Sequence, residues 1–277
     1  MLDEFVRRAL SEDLGDGDHT SLACIKEDEQ SAARLEVRER GILAGIAVAK
    51  RVFELYDSSI EIEILKDDGD SVIEGDIAFI VKGAARSILS TERLVLNLMQ
   101  RMSGIATKTH QMVEMISHTD AILLDTRKTT PGIRFIEKEA VAIGGGGNHR
   151  FGLYDMIMIK DNHIDYAGGI SKAIQKTHTY LHTNNKKLKI EIEVRSLNEL
   201  DEVLTEGKVH RIMLDNFSPK EIENALKLIP QEYETEASGG ITEENIVAYA
   251  ETGVDFISVG ALTHSVKSLD LGLKAYT

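Results

Sequence analysis

From residue 122 onward, short apolar runs alternate with amphipathic helix patterns, and this alternation restricts the fold more than any other feature. The runs are Ile122–Leu124, Met156–Ile159, Ile190–Val194, Ile212–Leu214, Tyr233–Ala237 and Phe256–Val259. Helical spacing fills Ile170–Leu181, Leu197–Leu204, Pro219–Leu228 and Glu243–Ala250, with Ser196, Ser218 and Thr242 as N-cap candidates. Strands that alternate with helices across short connections pair in parallel. Six of them predict an α/β barrel or near-barrel, although an open doubly wound sheet carries the same local signature.

The first part of the chain follows other rhythms. Leu2 to about Leu10 predicts a short amphipathic helix, stopped near Gly15. Residues 31–82 show period-two alternation at Ala33-Leu35-Val37, at Ile60-Ile62-Ile64 and from Ile73 to Val81, with Gly41, Gly69 and Gly75 as punctuation. These read as strands of a small α+β domain. Residues 90–116 return to helical spacing, with Leu94, Leu98 and Met102 on one face and a predicted break at Ser103-Gly104.

The chain of 277 residues carries a net charge of −14. That balance repels phosphate backbones and excludes nucleic acid as an expected partner. Cys24 is the only cysteine, so neither an intrachain disulfide nor a cysteine-built zinc site can form, and a reducing cytoplasm suits the chain. The acidic Met1-Leu2-Asp3-Glu4 is unlike a secretory signal. The longest apolar stretch, Ile42 to Ala49, is too short to span a bilayer, so no membrane partner is expected.

In a barrel, chemistry collects at the C-terminal ends of the strands. Those ends here read Asp125-Thr126-Arg127-Lys128, Lys160-Asp161-Asn162-His163, Asp215-Asn216, Ser238-Gly239-Gly240 and Gly260-Ala261. Glu191 and Glu193 share one strand face by alternation. One such group would be a surface charge or an inter-strand ion pair; a polar set at every strand end is hard to assign to packing. From Thr126 to Lys160 the chain is locally basic, with Arg127, Lys128, Arg134, Lys138, Arg150 and Lys160 against Glu137, Glu139 and Asp155. A pocket for a multiply charged anion explains this excess. Arg134 and Lys138 with their glutamates read instead as a solvated helix face. Gly144–Gly147 reads as a flexible loop, since it lacks the Gly-Lys-Ser/Thr ending of a phosphate loop. The histidines show no zinc spacing. Small residues at Ser238-Gly239-Gly240 and Gly260-Ala261-Leu262-Thr263-His264 expose backbone N–H groups to a phosphate, aided by the helices that follow.

The segments Asp125–Gly132, Asn148-His149-Arg150, Ile159–His163, Glu191-Ile192-Glu193, Leu214-Asp215-Asn216, Ser238–Ile241 and Gly260–Ser265 together resemble quinolinate phosphoribosyltransferase. Glu92-Arg93, Leu96-Asn97, Ser103–Thr107, Glu12-Asp13 and Gly17–Thr20 resemble its amino-terminal pattern, so the likeness covers nearly the whole chain. Glu139 departs from it, standing where many members carry an aromatic residue. The resemblance implies an N-terminal α+β open-faced sandwich domain, residues 1–104, joined by the C-terminal tail 267–277, and an incomplete parallel α/β barrel over 105–266. It implies transfer of phosphoribosyl from phosphoribosyl pyrophosphate to quinolinate, with loss of carbon dioxide and pyrophosphate, giving nicotinate mononucleotide for NAD synthesis. Under it, Arg127, Lys128, His149 and Arg150, flanked by Thr126, hold quinolinate, with Arg93 supplied by the partner of a homodimer, higher oligomers being left open. Glu193 and Asp215 hold ribose hydroxyls or magnesium and offset positive charge, while Lys160 neutralises pyrophosphate. Ser238, Gly239, Gly240, Gly260, Ala261 and His264 complete the substrate site. Lys128, Lys160, Glu193 and Asp215 are the implied catalytic set, and no organic cofactor is implied. A molybdenum-transport paralogue of the same fold and a non-enzymatic scaffold are the rival readings.

Overall fold

The computed structural model describes residues 1–276; Thr277, last residue of the expected tail, lies outside the described residues. The chain opens with α1 (Leu2–Leu14), α2 (His19–Cys24), β1 (Gln30–Val37), β2 (Gly41–Ile42), α3 (Ile46–Tyr56), β3 (Glu61–Ile64), β4 (Ser71–Val72), β5 (Ile77–Ala84) and α4 (Ala85–Met115). It continues with β6 (Ile122–Leu124), α5 (Arg134–Ile143), β7 (Ile157–Ile159), α6 (Asp161–Ala167), α7 (Ile170–Thr183), β8 (Ile190–Val194), α8 (Leu197–Glu206) and β9 (Arg211–Asp215). It ends with α9 (Pro219–Leu226), β10 (Glu234–Ser238), α10 (Ile246–Ala250), β11 (Phe256–Ser258), α11 (Ala261–His264) and β12 (Leu271–Ala275). Two compact units result. The first comprises residues 1–110, 130–145 and the chain from Ser265 on; the second comprises 111–129 and 146–264.

In the first unit, β12, β1, β5 and β3 form an antiparallel sheet in that order. Alternation decides which face of β1 is covered: Ala33, Leu35 and Val37 are buried while the residues between them are not. The run expected from Ile73 to Val81 is interrupted. Asp76 accepts a bond from the Ile73 amide and Gly75 takes a positive φ of 93°, so a turn separates β4 from β5.

Nor does α4 break at Ser103-Gly104: it runs unbroken from Ala85 to Met115. These small residues serve packing instead. The Ser103 hydroxyl accepts from the Ala44 amide at 2.9 Å and donates to the Ala44 carbonyl at 3.1 Å. A Cβ on Gly104 would overlap the carbonyl oxygen of Lys267.

The second unit holds six parallel strands in the order β6-β11-β10-β9-β8-β7. No ladder joins β6 to β7 among the described residues, so the barrel is incomplete, as the resemblance implies. The sequence runs and the strands agree within a residue at every end. Ser196 caps α8 through the Glu199 amide, and Ser218 caps α9 in a reciprocal box with Glu221. Thr242 is not a cap. Its amide donates to Asn245 Oδ1, forming a turn, and α10 starts only at Ile246 with Asn245 as N-cap.

Replacing Gly104 by Ala tests the close passage of the chain over α4. Helix propensity alone predicts a gain of about 1 kcal/mol. Backbone overlap with Lys267 predicts a net loss of about 1–3 kcal/mol instead. Chemical denaturation decides: a Gly104→Ala protein as stable as the wild type would mean that the residue is not there for close approach.

Candidate active site

Two layers of polar side chains line the interior of the six-stranded sheet. The lower layer is sealed. Glu191 on β8 and Glu236 on β10 are fully buried, and His149 Nε2 lies 3.0 Å from Glu191 Oε2 and 3.5 Å from Glu236 Oε2. Arg211 Nη1 donates to Glu236 Oε2 at 2.8 Å, while its Nε and Nη2 donate to Glu234 Oε2 at 3.1 and 2.9 Å. The Arg150 amide donates to His149 Nδ1 at 2.7 Å. That bond makes Nδ1 the acceptor, so the ring proton of the neutral imidazole sits on Nε2, facing Glu191. Burial pushes the Glu191 carboxyl up to about 7. Burial, with the neighbouring Glu191 charge, pushes Glu236 up to about 7 as well.

His149, Glu191 and Glu236 offer three ligand atoms within 4.8 Å of one another, a geometry that could hold a metal. Arg211 is already bonded to Glu236, so a guanidinium supplies the positive charge that an ion would bring.

The upper layer opens at the strand ends. Lys160, at the end of β7, donates to Glu193 Oε2 at 2.7 Å. Asp215, half-buried at the end of β9, is pushed above the usual carboxylate range by burial and then by the Glu193 charge. Asn216 Nδ2 donates to Asp215 Oδ2 at 2.6 Å, and Asn216 itself adopts a φ of 58°.

The loops above this layer are tied down by Asp125. Fully buried, it accepts from the His149 amide through Oδ1 and from Asn148 Nδ2 through Oδ2, each at 2.8 Å. Part of the glycine run expected to be a flexible loop is also paired: Gly147 N donates to Leu123 O at 2.7 Å, and the Asp125 amide donates to Gly147 O at 3.2 Å. This isolated parallel bridge continues the sheet beyond β6.

Asp125 thereby places Arg150, whose Nη1 donates to Met156 O at 3.1 Å. Burial first, and then the Arg127 charge, draw the Arg150 pKa down. Half-buried Arg150 thus carries a desolvation cost and a like-charged neighbour, and a bound anion would offset both. Thr126 Oγ1 accepts from the Lys128 amide at 3.0 Å, shaping the same loop.

At the last two strand ends, Ser238, Gly239, Gly260 and Ala261 are partly accessible, and Gly240 and His264 are exposed. The helices that follow have five and four residues, and α10 begins well beyond Gly240. The dipole contribution expected from sequence is thus largely missing, and loop N–H groups are what remains for a phosphate.

The predicted residues Thr126, Arg127, Lys128, His149, Arg150, Lys160, Glu193, Asp215, Ser238, Gly239, Gly240, Gly260, Ala261 and His264 all belong to the second unit. Arg93 does not. It projects from α4 in the first unit, beside a cavity of about 310 Å³ shared with Arg38, Glu92, Gln100 and Asp270. It is exposed, and among the described residues no hydrogen bond or ion pair holds its guanidinium.

Sequence reasoning missed the supporting roles of Glu236, Arg211 and Asp125. Glu236 sat inside a run taken as apolar, and an isolated carboxylate in the middle of a buried strand was the available signal.

The family models for the quinolinate phosphoribosyl transferase N-terminal and C-terminal domains match residues 18–103 and 105–274. The chain belongs to the quinolinate phosphoribosyltransferase family. It is 48% identical to quinolinate phosphoribosyltransferase [decarboxylating] 1b of Nicotiana tabacum, over 98% of this chain and 81% of that one. It is 43% identical to the probable nicotinate-nucleotide pyrophosphorylase [carboxylating] of Bacillus subtilis, over 99% and 93%. Among solved structures, NadC from Streptococcus pyogenes superposes with a TM-score of 0.93 at 40% identity, covering 100% of this chain and 97% of that one. The nicotinate-nucleotide pyrophosphorylase from Francisella tularensis gives 0.92 at 43% identity, covering 99% and 96%. The family's two-domain pattern thus accounts for the split between a mixed first unit and a parallel second one.

The buried carboxylates yield a pH prediction. With folded pKa values of about 7, Glu191 and Glu236 hold protons that the unfolded chain has already released above its ordinary carboxylate range. Their contribution to stability is therefore present at low pH and is lost as pH rises towards 7. Glu236→Gln removes one of the two titrations and keeps an acceptor for Arg211. Its melting temperature relative to wild type should rise steadily between about pH 5 and 8. A difference independent of pH would contradict the elevated values.

Proposed function

We propose that this chain joins quinolinate to phosphoribosyl pyrophosphate, releasing pyrophosphate and carbon dioxide and leaving nicotinate mononucleotide for NAD biosynthesis. The observation that carries the reading is the set of cations at the strand ends of the second unit: half-buried Arg127 and Arg150 with Lys128 and Lys160, in a chain of net charge −14. A dianion such as quinolinate offers one carboxylate to each arginine, which a monoacid cannot do.

The chemistry follows from charge. The pyridine nitrogen forms a bond to the anomeric carbon as the bond from that carbon to pyrophosphate breaks. Positive charge develops on the sugar, and Glu193 and Asp215 offset it or hold the ribose hydroxyls. Lys160 balances Glu193 at rest and turns to the departing pyrophosphate. The ribosylated ring is cationic, so it can accept the electron pair left when the adjacent carboxylate departs as carbon dioxide; a proton then takes its place. Lys128 and the amides of Ser238, Gly239, Gly240, Gly260 and Ala261, with His264, hold substrate phosphates and carboxylates. His149 accepts the Arg150 amide at Nδ1 and so fixes the backbone that carries Arg150.

Magnesium suits the donor set. Glu193 and Asp215 are hard oxygen ligands, close enough that one raises the other's pKa. When bound with the sugar pyrophosphate, the metal supplies charge neutralisation. The exposed, unpaired Arg93 supports a homodimer in which it completes a partner's quinolinate pocket. The single exposed cysteine supports a reducing, cytoplasmic setting. Among the described residues no helix is long and apolar enough to cross a membrane.

Incubation with phosphoribosyl pyrophosphate, magnesium and quinolinate should release carbon dioxide and pyrophosphate in equal amounts. Equal use of nicotinate, without decarboxylation, would refute the substrate assignment. Arg150→Ala should raise KM for quinolinate through loss of about 1.5–3 kcal/mol of charged hydrogen bonding, whereas Asp215→Asn should chiefly lower kcat. Unchanged kinetics in both folded variants would remove the pocket.

Mixing Arg93→Ala subunits with Arg150→Ala subunits tests the shared site. One site of the heterodimer then collects both defects and the other neither, so activity should partly return. Verified heterodimers of two inactive parents with no recovery would exclude sharing.

A further inference from the structure

Glu137 and Lys138, taken from sequence as a solvated helix face, are buried. Glu137 is fully inside, and its carboxylate accepts four hydrogen bonds. Arg101 donates to Oε1 through Nε at 3.1 Å and Nη2 at 2.8 Å. Thr130 donates its amide to Oε2 at 2.9 Å and its hydroxyl to Oε1 at 2.8 Å. Arg101 Nη1 also donates to the Val266 carbonyl at 3.4 Å. One ion pair therefore grips two points of the chain. Thr130 lies two residues after Lys128, and Val266 two residues after His264.

In the chain those two points follow closely on the segments after β6 and β11 that carry the site residues. The loops also meet each other. Thr263 Oγ1 donates to the Lys128 carbonyl at 2.8 Å, and a Cβ on Gly260 would stand 2.9 Å from Lys128 Cδ. The first loop carries Arg127 and Lys128; the second carries Gly260, Ala261 and His264.

We propose that Arg101 and Glu137 are positioning residues that hold the carboxylate-binding loop and the phosphate-binding loop in one register, so that the affinities for the two substrates rise and fall together. The inference rests on the proposed function of those loops. A buried carboxylate with four charge-assisted or backbone donors is costly to rearrange, so it fixes the backbone at Thr130 in one place. Loop geometry errors of even 1 Å reach the reacting atoms.

The test is steady-state kinetics on Glu137→Gln, which keeps the side-chain volume but turns an amide towards donors, and on Thr130→Val, which deletes only the hydroxyl bond. In Glu137→Gln, KM should rise about tenfold for quinolinate and for phosphoribosyl pyrophosphate together, with a smaller change in kcat. In Thr130→Val both KM values should rise by less, again in parallel. A third variant, Thr263→Val, cuts the direct tie between the loops and should also raise both. Circular dichroism and melting curves confirm folding at the assay temperature; if Glu137→Gln does not fold, the other two variants carry the comparison. A purely structural role would lower the melting temperature and leave both KM values unchanged, and that result overturns the proposal. So does a rise for one substrate alone in every variant. A wild type without turnover would overturn the functional reading and this inference with it, whereas turnover with wild-type KM values in all variants overturns this inference only.

Discussion

Inside the second unit a neutral imidazole, two carboxyl groups and a guanidinium are packed below a cationic pocket. This buried contact between His149, Glu191, Glu236 and Arg211 is the constraint from which the site is built. Buried carboxylates of this kind are tolerated only when protonated or paired, and here both remedies are used: Arg211 pairs with Glu236, and burial lifts both acids towards 7. The imidazole cannot turn without giving up the Arg150 amide on one edge or the glutamates on the other. Arg150 is therefore aimed by a group that lies beneath it, and the pocket inherits its geometry from a layer sealed from solvent.

The missing ladder between β6 and β7 gives this arrangement room. In a closed barrel every strand end is fixed by two neighbours. Here the chain between β6 and β7 contributes one bridging residue, Gly147, and then the Asn148-His149-Arg150 segment, which Asp125 holds by two hydrogen bonds. The gap in the sheet is the place from which His149 and Arg150 enter the interior. A continuous strand would have alternated its side chains and offered only one of two neighbouring residues to that interior.

Much of this was legible from spacing. The limits of β6 and β8 were readable from apolar runs, and the strand ends were readable as polar groups following those runs. Period and capping are local properties, and they failed wherever a distant part of the chain decided. Ser103-Gly104 looks like a helix break until the Lys267 carbonyl passes over it. Thr242 looks like a cap, but Asn245 answers its amide and delays α10. Glu137 and Lys138 look solvated because their spacing is helical and charged, whereas Arg101 and Thr130 convert Glu137 into an interior group. Glu236 hid in a run counted as apolar. That the Arg127 charge acts on Arg150, 23 residues away in sequence, has no local signature and emerged only from the fold.

The strand β12 has a consequence for how the molecule is made. Residues 271–275 pair with residues 33–37 of β1, so the first sheet closes across more than 230 residues of sequence. During synthesis that sheet stays a strand short until β12 has been added, and β1 waits with one side of its backbone unsatisfied. The second unit has all six strands by Ser258 and has no such delay. The nascent chain thus carries six parallel strands and, in its other unit, an open antiparallel edge. Its most association-prone period lasts until the closing segment finds its partner strand, more than 230 residues away in the chain.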